Sequence, residues 1–402
     1  MTENFGSIIL GGGHAAAEAA LCLRKEGFEG SILMAGDEPS LPYQRPPLSK
    51  TYLAEDVTAD SLLIRESQAY VGANITVRVN ARAVKLDAAS RVVTFADGVQ
   101  AQYGKLILAT GARPRKLVGA DHLKVHYIRT LADIDGLRAV IAPGKRALII
   151  GGGYIGLEAA AMLKKLGLHV TVLEAMERIL QRVTAAPLSE FYTRIHREEG
   201  VEIITGVSIK SLRADGAELA DGRFVPADVL IAGIGVLPNI ELAEMAGLRM
   251  EAGAVFVDSH CRTSDENIYA AGDCTSFFSP HYERLTRLES VQNANDQARV
   301  AAANIAGHVS VYDVLPWFWS DQYDLKLQIA GLSQGYDEVV LRGDSATGRS
   351  FAAFYFAQGR LIAVDAVNRP REFLLAKRLI AAKVSPDRNI LQDETADLKK
   401  LL

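Results

Sequence analysis

Two stretches of this chain repeat one pattern: SIILGGGHAAAEAALCLRKEGFEGSILMAGD at 7–37 and ALIIGGGYIGLEAAAMLKKLGLHVTVLE at 147–174. Each runs from an apolar strand through three glycines into an alanine-rich helix, then to a second apolar strand. That order is a βαβ unit opening on a tight glycine turn, so the chain is expected to be α/β, with two Rossmann-like dinucleotide-binding domains.

The spacing of the glycines carries the chemistry. In the first unit, strand Phe5–Leu10 leads into Gly11-Gly12-Gly13-His14-Ala15-Ala16, and helix Ala15–Lys25 stops at Gly27. Gly11 permits the turn, Gly13 lets the backbone approach a pyrophosphate, and Ala16 in the third small position allows helix and strand to pack closely. The anion then sits over a helix N-terminus, where unsatisfied N–H groups and the dipole favour it. The second unit has the full G-x-G-x-x-G in Gly151, Gly153 and Gly156, with Tyr154 and Ile155 between the last two glycines. Helix Leu157–Leu166 ends at Gly167, and strand His169–Leu173 ends at Glu174. An acid at that strand end accepts hydrogen bonds from the adenosine ribose hydroxyls and repels a 2′-phosphate, which favours NAD(H) over NADP. In the first unit Gly36 falls where Glu174 would align, so Asp37, with Glu38 behind it, is the expected ribose acid there.

Two dinucleotide sites without a metal or nucleophile motif point to electron transfer: a resident flavin and an exchanging nicotinamide, with the protein supplying binding, orientation and electrostatics. The rest of the chain is compatible with this. At 402 residues it is long enough for two or three domains, and at 49% hydrophobic and 23% charged it can bury large cores. A net charge of −4 argues against nucleic acid. No apolar run is long enough to span a membrane, and the N-terminal MTENFGSIIL lacks the basic start of a signal peptide. Cys22, Cys261 and Cys274 lie far apart in sequence, with no metal or redox spacing, so a cytoplasmic protein with reduced thiols is expected.

The motifs LPYQRPPLSK (41–50), LILATGARPR (106–115), GGGYIGLE (151–158), RTSDENIYAAGDC (262–274), ESVQNANDQA (289–298) and PWFWSDQYDLKLQIAG (316–331) resemble those of the two-dinucleotide flavoprotein reductases with a glutathione-reductase-like fold. More narrowly, they are similar to the NADH-dependent ferredoxin reductases of oxygenase systems, the putidaredoxin reductase type. The resemblance implies FAD in the first unit, held by Gly11, Gly13, His14, Ala15, Ala16, Asp37, Arg45, Ala83, Ala109 and Arg129. It also places Lys50 toward the flavin ring, Asp273 on the ribityl chain, Val291 and Gln292 at the pyrimidine edge and Trp319 beside the isoalloxazine. Trp317 is expected to be packing alone. NAD(H) falls to Gly151, Gly153, Tyr154, Ile155, Gly156, Glu174 and Gly235. Lys50 and Glu158 are the candidate catalytic residues. Glu158 has two readings: a first-turn acid complementing the helix dipole, or a group near the nicotinamide that pairs with Lys50.

The expected organisation is an FAD-binding domain in two parts, 1–112 and 241–318, an NAD-binding domain at 113–240, and a small α+β C-terminal domain at 319–402. In the last, strand Leu325–Ile329 alternates apolar and polar residues, two long strands flank Gln358-Gly359, and a helix follows near Arg371–Ala382. The segment YQRPPLSKTYL carries no cysteine to receive electrons, unlike the disulfide reductases and the peroxidase or oxidase relatives that this architecture suggests. The acceptor is therefore expected to be a separate iron–sulfur protein, an acidic 2Fe-2S ferredoxin docking near the flavin edge. It would serve a cytochrome P450 or a ring-hydroxylating dioxygenase. Arg284, Arg287, Lys326, Arg369 and Arg371 are candidates for that docking, and the protein is expected to be a monomer or weak dimer. The rival readings are a rubredoxin reductase, an NADH-oxidase-type flavoprotein and an NADH-sensing flavoprotein.

Overall fold

In the computed structural model, which describes residues 2–55 and 57–401, the chain divides into two compact units. One comprises Met1–Arg45, Ala59–Arg113 and Leu237–Pro316; the other comprises Pro46–Thr58, Pro114–Val236 and Trp317–Leu402. The segments expected as NAD-binding and C-terminal domains thus fall largely within one unit, which also takes in the proline-rich Pro46–Thr58.

The first unit is built on a sheet in the order Ile75–Arg78, Ile32–Ala35, Thr2–Leu10, Gln100–Leu108, Val92–Phe95, Ala83–Asp87, with Ile268–Ala270 joining Gln100–Leu108. The strands around the first glycine turn are parallel, Ile8 lying beside Leu33 and Leu106. Parallel strands are covered on both faces, which is why these read as continuous apolar runs instead of alternating ones. Ile8, Ile9, Leu10, Leu106, Ile107 and Leu108 are all buried. At roughly 1.5–3 kcal/mol per large apolar side chain, this cluster fixes the register on which the turn rests. Helix His14–Lys25, whose Ala16, Ala17, Ala19 and Ala20 are all fully buried, packs against helix Val291–Ile305 and the strands Thr2–Leu10 and Ile32–Ala35. It stops at Gly27, whose φ of +83° accommodates a reversal closed by hydrogen bonds from Gly27 N to Arg24 O and from Phe28 N to Leu23 O. A second sheet, Met250–Glu251, Ala254–Val257, Thr275–Ser279 and Arg284–Thr286, completes this unit.

The second unit repeats the scheme with a five-stranded parallel sheet, ordered Glu202–Ile204, His169–Leu173, Arg146–Ile150, Val229–Ala232, Val125–His126. A three-stranded antiparallel sheet (Ile209–Arg213, Gly216–Leu219, Phe224–Pro226) accompanies it. Its C-terminal part is an antiparallel sheet ordered Trp317–Gln322, Leu325–Gly331, Arg360–Val367, Ser350–Ala357, Glu338–Asp344, with helix Pro370–Ala381 packed on it. Both glycine-loop helices start earlier than the sequence suggests, at His14 and Tyr154, because Gly13 and Gly153 are extended and serve as N-caps. Among the described residues, no helix is long and apolar enough to cross a membrane.

Candidate active site

The two turns are nearly superimposable in their bonding. Gly11 N donates to Ala35 O and Gly151 N to Leu173 O, both at 2.8 Å. Both glycines have positive φ, +149° and +109°, and both press against the carbonyl that follows the next parallel strand. A Cβ on Gly11 would lie 2.1 Å from Ala109 O, and one on Gly151 would lie 2.4 Å from Gly233 O. Only glycine satisfies both demands. At Gly13 and Gly153 the opposite holds: an added Cβ would meet nothing within 4 Å. These N-caps therefore face open space at the positive end of a helix that has no acid in its first turn. A side chain would fill this cradle, and a pyrophosphate fits it.

Around the second turn, Glu174 is fixed rather than dangling. Its Oε2 accepts from Gly152 N at 2.8 Å and its Oε1 from Met176 N at 2.9 Å. A carboxylate has about four acceptor sites, so each oxygen keeps one more site for a donor. Ile155, in the same loop, is 43% exposed, an apolar face offered to solvent beside the cradle. Gly235 has φ of +99° and open space where a Cβ would stand.

Around the first turn the geometry differs. Gly36 stands at the strand end, and a Cβ there would lie 3.1 Å from Gly12 Cα, so a side chain in the place of Glu174 would require the glycine turn to give way. Asp37 is exposed, while Glu38 accepts from Tyr43 Oη at 2.6 Å and is ion-paired with Arg45. Arg45 also lies over the Tyr43 ring, 4.4 Å from its centroid. Gly36 O accepts from Ala81 N at 2.7 Å, which brings the start of strand Ala83–Asp87 close to this turn.

Asp273 follows Gly272, whose φ is +88°. Gln297 shapes this turn: its Oε1 accepts from Gly272 N and Thr275 Oγ1, both at 2.8 Å, while its Nε2 is buried without a partner. Ser290 caps the helix that carries Val291, half-buried, and Gln292, buried.

Lys50 and Glu158 are joined directly, Nζ to Oε2 at 2.6 Å, with side chains 15% and 5% exposed. Ser49 Oγ donates to the same oxygen at 2.5 Å, and Ser320 Oγ donates to Oε1 at 2.6 Å. The first-turn reading of Glu158 is corrected here. The helix begins at Tyr154, so Glu158 lies in its second turn, beyond the reach of the terminal N–H groups and facing inward. Removing one member of so buried a pair would strand a charge at a cost of about 3–5 kcal/mol.

Strand alternation explains how Ser320 arrives there. On Trp317–Gln322, Phe318 and Ser320 share the face toward helix Tyr154–Lys165, Phe318 meeting Tyr154 with ring centroids 5.2 Å apart. Trp317 and Trp319 share the other face, centroids 5.5 Å apart, and Trp317 also packs on Phe373. Burial holds the Tyr154 phenol far above its usual pKa, and the charge of Asp365 adds to this. The geometry brings Lys50, Glu158 and Tyr154 together within one unit, which also contains Arg129 and Trp319. Ser49, Ser320 and Gln297 were missed by sequence reasoning. Ser49 and Ser320 adjoin Lys50 and Trp319 inside motifs already singled out, which was the available signal.

Of the docking candidates, Arg369 is held by Glu372 and Glu394, and Arg287 by Glu289. Lys326 and Arg371 are exposed.

Two folds of this type, each opening on a glycine cradle, define a nucleotide-dependent oxidoreductase, and the comparisons with known proteins give its family. Residues 6–298 match the pyridine nucleotide-disulphide oxidoreductase family and 317–402 the reductase C-terminal family. The chain belongs to the pyridine nucleotide-disulphide oxidoreductases, and its cofactors are FAD and NAD(H). It is 42% identical to putidaredoxin reductase CamA of Pseudomonas putida, over 100% of this chain and 98% of that protein. It is 41% identical to the ferredoxin–NAD(+) reductase component of the anthranilate 1,2-dioxygenase system of Burkholderia cepacia, over 98% of each. The solved covalent putidaredoxin reductase–putidaredoxin complex is similar with a TM-score of 0.95 and 42% identity, covering 99% of this chain and 98% of that one.

Proposed function

We propose that this protein is an FAD-dependent NADH:ferredoxin reductase, passing electrons from NADH through FAD to a 2Fe-2S ferredoxin that serves a cytochrome P450 or a ring-hydroxylating dioxygenase. The observation that carries this reading is the pair of open glycine cradles in a chain whose three cysteines are all buried and free. FAD supplies the chemistry of receiving an electron pair and releasing it one electron at a time. The first cradle holds FAD, and the second, with Glu174 at its rim, holds NADH. Glu158 keeps the Lys50 ammonium in a fixed place, where a positive charge can favour an anionic reduced ring. Without a thiol pair to take the electrons, they leave to another protein. A relative named as the ferredoxin–NAD(+) reductase component of a dioxygenase system, and the solved complex of putidaredoxin reductase with putidaredoxin, support the choice of a protein acceptor. The protein works in the cytoplasm, where its thiols stay reduced.

The test is salt. Reduction of an acidic ferredoxin should slow steeply between low and physiological ionic strength, because long-range attraction is screened within about 8–10 Å. NADH-to-ferricyanide turnover should barely change. Equal salt dependence in the two assays, or no ferredoxin reduction at any salt, would sink the proposal.

A further inference from the structure

The carboxylate of Glu158 is the end of a longer chain of hydrogen bonds. Ser320 Oγ, which meets Glu158 Oε1 at 2.6 Å, lies 3.2 Å from Gln322 Nε2. Gln322 Oε1 lies 2.9 Å from His196 Nε2, and His196 Nδ1 lies 2.9 Å from Tyr323 Oη. Ser320, Gln322 and His196 are all fully buried.

Donor and acceptor capacities fix the direction of the links from Glu158 out to His196 Nε2. The Glu158 carboxylate can only accept, so Ser320 must give it its proton and can then only accept from the Gln322 amide nitrogen. The Gln322 oxygen thereby faces His196, whose Nε2 must carry hydrogen. At the other nitrogen, Nδ1 meets Tyr323 Oη, a group that can donate or accept. With the imidazole neutral, Nδ1 accepts from Tyr323 and every link runs toward Glu158. Burial supplies that condition, pushing His196 down to about 4.

The outer end shows that this arrangement is held rather than incidental. Tyr323 sits in the two-residue turn between Trp317–Gln322 and Leu325–Gly331 with φ of +56°. A bulky residue tolerates that conformation only where its surroundings over-determine it. Here the ring packs edge-on to His196, centroids 5.0 Å apart, and the hydroxyl is tied to Nδ1.

We propose that His196 and Gln322 are positioning residues for the hydride step: with Tyr323 and Ser320 they form a one-directional donor chain that aims at Glu158 and holds its carboxylate against Lys50. This rests on the proposed NADH-to-FAD reaction. Each donor polarises the next, so the last bond to the carboxylate is stronger than an isolated serine bond.

Two readouts test it on the FAD-loaded protein. Without any turnover, ¹⁵N-histidine NMR at pH 7 should show His196, identified by its loss in His196→Gln, as neutral with hydrogen on Nε2. Hydrogen on Nδ1, or a charged ring, overturns the chain. In anaerobic rapid mixing, His196→Leu should slow flavin reduction at saturating NADH about fivefold, the equivalent of one lost hydrogen bond. NADH affinity should change little. His196→Gln, whose amide can still donate to Gln322, should restore most of the rate. Tyr323→Phe, the mildest change, should slow it about twofold. In a Glu158→Gln background, His196→Leu should add no further loss, and equal losses in both backgrounds overturn the proposal. Should His196→Leu fail to fold, Gln322→Met takes its place in the same cycle. A Glu158→Gln variant that reduces as fast as wild type overturns the catalytic reading of Glu158 and the relay with it. Wild-type flavin left oxidised by NADH overturns the functional proposal itself.

Discussion

The first and second glycine turns share their glycines, backbone hydrogen bonds, positive φ at the leading glycine and open N-cap, yet they differ wherever a ligand would be distinguished. At the third small position the second turn has Gly156, where a Cβ would lie 2.3 Å from Gly151 O, while the first accommodates fully buried Ala16. At the strand end the second has Glu174 bonded into the turn, while the first has Gly36 packed on Gly12. After the glycines, Tyr154 reaches Phe318, and its buried hydroxyl has no hydrogen-bond partner. The lesson is that the glycine cradle is generic backbone geometry, whereas the two turns are told apart by the side chains at the rim.

The largest effect should separate the two turns outright. Gly11→Ala combines a clash with a backbone carbonyl and a left-handed φ, and should yield protein that retains no flavin. Gly151→Ala should stay yellow but lose NADH affinity roughly a hundredfold, from about 3 kcal/mol of strain. A colourless Gly151→Ala protein would break the assignment of one cofactor to each turn; absorbance and NADH titration decide. Next in size is Glu174→Ala. Losing charged hydrogen bonds worth about 1.5–3 kcal/mol should weaken NADH tenfold or more and narrow its advantage over NADPH, with flavin content unchanged. An unaltered NADH-to-NADPH ratio would remove Glu174 from the ribose.

The smallest effect concerns Asp365, whose charge acts on Tyr154. Burial raises the Asp365 carboxyl to about 6, even though Tyr355 and Thr184 donate to it. A raised acid binds more protons folded than unfolded, so its contribution is present below its unfolded value, near 4, and is lost as pH rises through about 6. Asp365→Asn should therefore gain on wild type in denaturation midpoint as pH goes from 4 to 7. A constant gap across that window would show that the carboxyl does not titrate there.

Much of this was legible in the chain because it is local. Glycine spacing dictates the turn whatever surrounds it, and an acid at the end of His169–Leu173 is placed by the strand itself. Helix starts were misplaced by up to three residues because an extended glycine N-cap carries no side-chain signal. That small error is what kept the first-turn reading of Glu158 open beside the pairing with Lys50. The ribose acid of the first turn was named as Asp37, and the structure shows Glu38 already engaged with Tyr43 and Arg45.

The sequence by itself determined the two glycine cradles, since each depends on residues within a few positions of one another. Only the tertiary structure decided what surrounds Glu158. Ser49 and Lys50 reach it from 109 and 108 positions away, and Ser320 from 162. No periodicity encodes such meetings, because a hydroxyl or an ammonium finds its carboxylate through the packing of whole sheets and helices and not through spacing along the chain.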